Sequence, residues 1–332
     1  MAAPNLSEIV TTTLRNRSGK LADNVTRNNA LLSRLKEKGK VKPVSGGRTI
    51  VQELEYAQNG TAQWYSGYEA INISPSEVFT AAEFNWRQAA VAVSISGLEM
   101  LQNAGKEQVI DLLESRIQNA EKTMVNLVAT SVYSDGTDTK QIGGLQFLVA
   151  DSPSSGTVGG IDRSSWEFWR NISFDATTDG TAAATTSNIQ SYMNRVYVQL
   201  VRGTDRPDLI VADNAYWRLY LESLQAIQRI TSDKLASAGF MSLKYMDADV
   251  VLDGGFQGYS GDTNPSSGGS PANHMYFLNT DYIYFRPHRD RNMVPLDPGE
   301  RFSVNQDAMV KLIGFAGNMT LSNARLQGVL KD

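Results

Sequence analysis

Between Lys106 and Tyr133 the apolar residues Ile110, Leu113, Ile117, Ala120, Met124 and Leu127 recur in steps of three and four. That spacing lays one apolar stripe along a helix, with Glu107, Asp111, Glu114, Arg116, Gln118, Glu121 and Lys122 on the opposite face. No Gly or Pro interrupts the run; Gly105 precedes it and Ser134, Asp135 and Gly136 end it. At about 1.5 Å per residue the helix would reach roughly 42 Å. Such a helix is a coiled-coil arm or the spine of a domain. The Gly-punctuated β pattern on both of its sides favours the spine.

Ahead of the spine the pattern is broken. Residues 5–17 could form a short helix capped by Ser7, and 28–38 a second one capped by Asn28 or Asn29 and stopped at Gly39. With so few apolar residues this opening reads as an arm rather than a domain. From 41 to 75 the pattern turns strand-like: Ile50, Gln52, Leu54 and Tyr56 share one face, and Gln58, Asn59 and Gly60 signal a turn. Glu53, Glu55, Trp64, Tyr65 and Tyr68 in this hairpin have little of their own to pack on. They suggest a protruding loop whose aromatics dock on another chain, the alternative being a loop folded back onto its own domain. Residues 77–97 alternate loosely, and Phe79, Phe84 and Trp86 break the period, so a bulge or bend is expected. Residues 98–103 read as a short helix start.

After the spine, 143–149 reads as a buried strand, 151–162 as a long loop, and 175–187 as a linker. Then α and β patterns alternate: a helix at 187–200, a strand at 207–212, a helix at 213–224 capped by Asp213 or Asn214, and strands at 248–253, 275–279 and 282–286. Residues 254–273 form a Gly/Ser/Asn loop, and two strands, 310–316 and 319–330, close the chain. Alternation of this kind argues for a sheet covered by helices.

Composition narrows the function classes. The 332 residues are 41% apolar and 20% charged, and no run approaches the roughly 20 apolar residues of a membrane span. The start, MAAPNLSEIV, lacks the basic and apolar regions of a secretory signal. With no cysteine there is no disulfide, thiolate nucleophile or Cys metal site; with only His274 and His288, a multi-His centre is improbable. The net charge is −4, but the first 42 residues hold nine Lys/Arg against Glu8, Asp23 and Glu37. Such a basic arm either pairs with acidic protein neighbours or faces nucleic-acid phosphates. No glycine cluster has phosphate-loop spacing. Asp247, Asp249 and Asp253 cluster around a strand, without the regular oxygen spacing of a calcium loop. No catalytic constellation emerges, and weight shifts to a structural or binding role with no cofactor and no metal.

The order of elements then acquires a counterpart. Basic helical arm, extended hairpin, long spine helix, α/β lobe and returning strands together resemble the major capsid proteins of tailed bacteriophages, the α+β Hong Kong 97 (HK97-like) fold. The segment Gly159–Asn171, with Trp166 and Trp169, is similar to one that follows the spine helix in that family. Residues 207–213 resemble the strand entering its axial lobe, and 277–283 with 310–330 its closing strands.

The resemblance implies an N-terminal arm at 1–43, an extended β-hairpin loop at 44–76, and a peripheral domain at 77–185 carrying the spine helix. It further implies an axial domain at 186–285 and return strands to the peripheral domain at 286–332. It implies pentamers and hexamers that build an icosahedral head around double-stranded DNA in the virion, assembled in the host bacterial cytoplasm. Scaffold, decoration and portal proteins are further candidate partners, and no membrane is involved. Arg15, Arg17, Arg34, Glu53, Glu55, Trp64, Tyr65 and Tyr68 are the candidate inter-subunit contacts, and Lys36, Lys38 and Lys40 the candidate DNA-facing residues. An encapsulin-like compartment shell is the alternative within this fold. A carboxylate-dependent hydrolase using the Asp247–Asp253 region is a distant third.

Overall fold

A computed structural model describes residues 29–98, 106–224, 242–253, 269–296, 301–302 and 308–332. The expected helix at 5–17, the residues 99–103 and most of the 254–273 loop lie outside the described residues. The remainder is an α+β fold, as the element pattern predicts.

The first helix, α1 (Ala30–Glu37), begins where Asn29 accepts the Leu32 N–H at 3.0 Å, and it stops at Gly39, whose φ of +66° suits glycine. Ala30, Leu31, Leu32 and Leu35 are fully buried in the main core. The last turns of the basic arm are thus part of the subunit body.

Strand β1 (Thr49–Glu55) pairs antiparallel with β2 (Phe79–Asn85), from Thr49↔Asn85 to Glu55↔Phe79. The chain does turn at the Gln58–Gly60 signal, where Ala62 N–H donates to Asn59 O at 3.3 Å, but the two strands close across the whole segment 56–78, which forms no strand of its own. A bend is expected within 77–97, and the structure places a break at Trp86. Strand β3 (Arg87–Ser96) leaves the hairpin and pairs with β13 (Ala308–Leu321) instead. Buried positions shift from Ala82 and Phe84 to Val93 and Ile95, which is the change of parity that one inserted residue produces. Around the central β13, β3 lies on one side, and β11 (Ile283–Pro295) and β12 (Arg301–Phe302) lie on the other. The sequence pattern breaks β13 near Gly317, where β11 turns through a bulge before Asn292.

The spine helix α2 (Lys106–Ser131) lies against β3. Its buried residues include Ile117, Ala120, Met124, Val125 and Val128, whereas Leu127, expected in the stripe, is 40% exposed. A straight helix turns every 3.6 residues, so the stripe moves from Met124 to Val128 and a strict three-four alternation drifts off it. The expected strand at 143–149 is instead the single turn α3 (Leu145–Leu148). Leu145 and Leu148, three apart, both point into the core.

The second sheet has six strands in the order β6 (Ile172–Asp175), β14 (Gly328–Lys331), β10 (His274–Leu278), β7 (Leu209–Ala212), β9 (Ala248–Leu252) and β8 (Ser242–Tyr245). It takes β6 and β14 from outside the 186–285 limits, and β14 runs parallel to β6. The segment 319–330 is therefore not one strand but the end of β13, a turn, and β14. Period two divides the sheet's residues between two faces. Ile210, Val250, Met275, Phe277 and Leu330 pack with helices α4 (Ile189–Leu200) and α5 (Asn214–Ser223). Leu209, Val211, Val251, Tyr276, Leu278 and Val329 pack with α1 and the spine. One sheet thereby joins two cores. The pair β4 (Thr157–Val158) and β5 (Ile161–Asp162) completes the fold beside the root of the hairpin.

Candidate assembly surfaces

Two regions concentrate the residues that the sequence nominates. The first is the outer end of the hairpin. Trp64 and Tyr68 are fully exposed, and Tyr65, Ile71, Ile73 and Phe79 are more than half exposed. Glu53 and Glu55 line the exposed side of β1, beside Val51. Five of these large apolar side chains stand in solvent within 56–78, surface of the kind that marks a partner site. These hydrogen bonds stay within the segment: Asn59 accepts from Thr61 and, across 17 residues, from Ser76, and Glu69 accepts the Ser66 N–H at 3.0 Å. These fix local turns and leave the aromatic rings outward.

The root of the same hairpin is rigid. Glu83 N–H donates to Gly159 O at 2.8 Å, and Trp169 Nε1–H donates to Val158 O at 2.9 Å. Gly159 has a φ of +59°, and a Cβ there would meet the Ala82 Cβ at 2.8 Å, so glycine permits the close approach. The guanidinium of buried Arg163 donates to the Trp169 and Leu148 carbonyls, and burial pushes its pKa down to about 10. Tyr56, Trp166 and Phe168 form a ring cluster with centroids 5.4–6.0 Å apart. With Phe79 and Ile161 they line a groove of about 470 Å³. The two tryptophans that stand out in the sequence thus have different tasks, Trp169 in the core and Trp166 at this groove.

The second region is where the arm meets the six-stranded sheet. Arg34 bridges Asp249 at 2.9 Å, Asp208 at 3.2 Å and Glu37 at 3.2 Å. Burial alone would lower its pKa, but the Asp208 and Asp249 carboxylates with Glu37 more than offset that and hold it above the ordinary value. Lys38 reaches Asp281 at 3.1 Å and Asp208 at 3.2 Å, and Lys40 reaches Asp281 at 3.5 Å. Burial would raise the Asp281 carboxyl; the two lysines keep it below its usual range. Lys40, Lys42 and Arg286 also surround the Tyr284 ring at 5.0–5.4 Å. Of the basic residues nominated for neighbours or DNA, Arg34, Lys38 and Lys40 are therefore held by carboxylates of their own chain. The partners lie far along the sequence, so spacing could not reveal them. Lys36 is on the exposed side of α1, and Arg15 and Arg17 lie outside the described residues.

The aspartates suggested for a hydrolase do not form one site. Asp247 pairs with Arg206 at 2.8 Å, Asp249 with Arg34, and Asp253 with the Tyr133 hydroxyl. Among the described residues no group of three acidic or His side chains is placed to hold a metal, and no helix is long and apolar enough to cross a membrane.

No protein-family model matches the sequence, and no curated protein matches it either. Solved structures do match. The cyanophage A-1(L) capsid asymmetric unit superposes with a TM-score of 0.60 at 15% identity, over 89% of this chain and 92% of that one. This chain has the Hong Kong 97-type fold. The holo-SrpI encapsulin complex from Synechococcus elongatus PCC 7942 follows with 0.53 at 8% identity, over 90% and 86%. The capsid of an empty GTA particle gives 0.51 at 10% identity, over 89% and 88%. Identities of 8–15% carry the fold and not the residue contacts.

Proposed function

We propose that this chain is the subunit of a closed protein shell, a phage major capsid protein that gathers as pentamers and hexamers into an icosahedral head around double-stranded DNA. The observation that carries the reading is the hairpin of a Hong Kong 97-type fold, rooted firmly and ending in exposed Trp64, Tyr65, Tyr68 and Ile73. A segment with this much apolar surface and no core of its own gains stability by packing on a neighbour. On this reading Glu53, Glu55 and the aromatics make inter-subunit contacts. The six-stranded sheet with α4 and α5 forms the axial lobe, and β3, β11, β13 and α2 form the peripheral lobe. We assign Arg15, Arg17 and Lys36 to neighbours or DNA phosphates on the strength of their charge, whereas Arg34, Lys38 and Lys40 serve the subunit itself. Scaffold, decoration and portal proteins are the further partners this role calls for, and the head is assembled in the host cytoplasm and ends in the virion.

A compartment shell of the encapsulin kind is the second reading, supported by the SrpI likeness at a TM-score of 0.53. The contents of purified particles separate the two. Nuclease-protected double-stranded DNA supports the phage head, and a protein cargo without DNA supports the compartment. Replacing Trp64 and Tyr68 together by Ser should abolish particles while leaving a folded subunit. Particles that form unimpaired would remove the observation on which the proposal stands.

A further inference from the structure

Period two places Asp253 on the face of Val251 and His274 on the face of Tyr276, both turned toward α1 and the spine. β7 and β9 run parallel and β10 runs against them, so Asp253 and His274 come together at one end of the sheet. Backbone bonds tie them there: Asp253 N–H donates to Ala212 O at 3.1 Å, Ser270 N–H to Asp253 O at 2.7 Å, and Asp213 N–H to His274 O at 3.1 Å.

Each side chain reaches across to the other layer. The Asp253 carboxyl accepts from the Tyr133 hydroxyl, just past the spine's last turn, and from the Ala30 N–H that opens α1. Three elements therefore meet on one carboxyl, and no Lys or Arg among the described residues bridges it. His274 presents Nδ1 to the Ala272 carbonyl at 2.7 Å and Nε2 to an Asp151 carboxylate oxygen at 3.0 Å. Both partners are acceptors, so only the doubly protonated ring can donate at both nitrogens. Asp151 follows α3, so this bond too joins the spine side to the sheet.

We infer that Asp253 and His274 form a proton-loaded latch that ties the arm helix and the spine end to the six-stranded sheet, and that the latch loosens as these two groups lose their protons. The other charged and titratable groups around them fit this picture. Asp213 also faces His274, but its oxygens are taken by the N–H groups of Ala215, Tyr216 and Asn273. Lys331, opposite His274 on β14, is drawn to Asp175 at 3.3 Å. Tyr276 stacks beside His274 with ring centroids 6.0 Å apart, and its hydroxyl, like that of Tyr133, is kept protonated by burial.

The signs agree. Burial pushes the Asp253 carboxyl up to about 6 against the Tyr133 and Ala30 hydrogen bonds, which favour the anion, so the folded state still holds its proton more tightly than the unfolded chain does, and the stability gained at acid pH disappears as pH rises through 6. Burial alone would lower His274, but Asp151, the Ala272 carbonyl and Asp213 raise it above the usual value. Its contribution is complete below the unfolded pKa and is lost as pH climbs through the raised one.

The inference does not rest on the shell reading, because the latch closes within one subunit. It is tested by amide hydrogen exchange on the full chain, corrected for intrinsic rates, with sedimentation confirming one assembly state at every pH. In the wild type, opening of 30–37 and 128–133 should rise about tenfold between pH 5 and pH 8, as the Asp253 shift requires. Asp253→Asn keeps the acceptor without the charge and should remove most of that rise. His274→Gln should raise opening at pH 5 and flatten what remains. Equal pH dependence in wild type and both variants, or none in wild type, overturns the latch. Should Asp253→Asn not fold, carbon-13 NMR of the wild-type carboxyls decides it. The assigned Asp253 carboxyl titrating near pH 6 supports the latch, and Asp253 titrating near its ordinary value overturns it, whatever Asp213, also raised by burial, does.

Discussion

Arg34 shows how much a single residue changes when its partners become visible. Its side chain is 12% exposed and shared among Asp208, Asp249 and Glu37, and the Asp249 side chain is only 8% exposed. Removing a cation from buried carboxylates costs more than the net worth of the pair, because the charges remain without compensation. Arg34→Met should therefore destabilise the subunit by about 3 kcal/mol in chemical denaturation. Arg34→Lys should recover only part of the loss, since one ammonium cannot reproduce the planar fork between two carboxylates. Lys38→Ala, on a more exposed pair, should cost about 0.5 kcal/mol. At this scale the sequence was informative only where chemistry is local. The caps at Asn29 and Asp213 were legible because an N-cap acts over three residues. Arg34–Asp249 was not, because 215 residues separate its members. The Tyr133–Asp253 contact, which spans 120 residues, was missed for the same reason.

Among the elements, the spine was the most legible, and it runs Lys106–Ser131 against an expectation of 106–133. A long uninterrupted amphipathic pattern overrides its surroundings, whereas short segments do not. The apolar run at 143–149 looks like a strand by composition, yet Gly143 and Gly144 let the chain turn back under the end of the spine, and a helical turn results. A Cβ on Gly144 would lie 2.3 Å from Ser134 N and 2.6 Å from Ser131 O, both backbone atoms. Gly144→Ala should accordingly cost about 3 kcal/mol and lower the thermal midpoint, the upper end of the overpacking scale, since no flexible neighbour can yield. Leu35→Ala, which empties a fully buried site on α1, should cost about 2–5 kcal/mol in the same measurement. The hairpin behaves in the opposite way. Its outer residues touch little of their own chain, so Trp64→Ser with Tyr68→Ser should change subunit stability by less than about 0.5 kcal/mol. The partner strand of β1 was misplaced because period and turn residues describe neighbours in sequence, and this ladder closes across a long excursion.

The described residues form two cores on either side of one sheet, with a rooted hairpin projecting from it. Element order was enough to suggest the fold, since arm, hairpin, spine, α/β lobe and returning strands follow one another along the chain. The sequence did not show that 172–175 and 328–331 would complete the six-stranded sheet, because a parallel pair between distant segments leaves no local signature. That closure ties the chain's end to its middle, so the subunit body is braced while the hairpin is left outward. On the proposed reading, a body of this kind forms first and assembles afterwards through the hairpin. The most direct test is electron microscopy of the full chain expressed alone and sedimented through a gradient. Closed angular shells, or rings of five and six subunits, are the predicted result. A monodisperse monomer at high concentration, with Trp64 and Tyr68 still in solvent, would contradict the account.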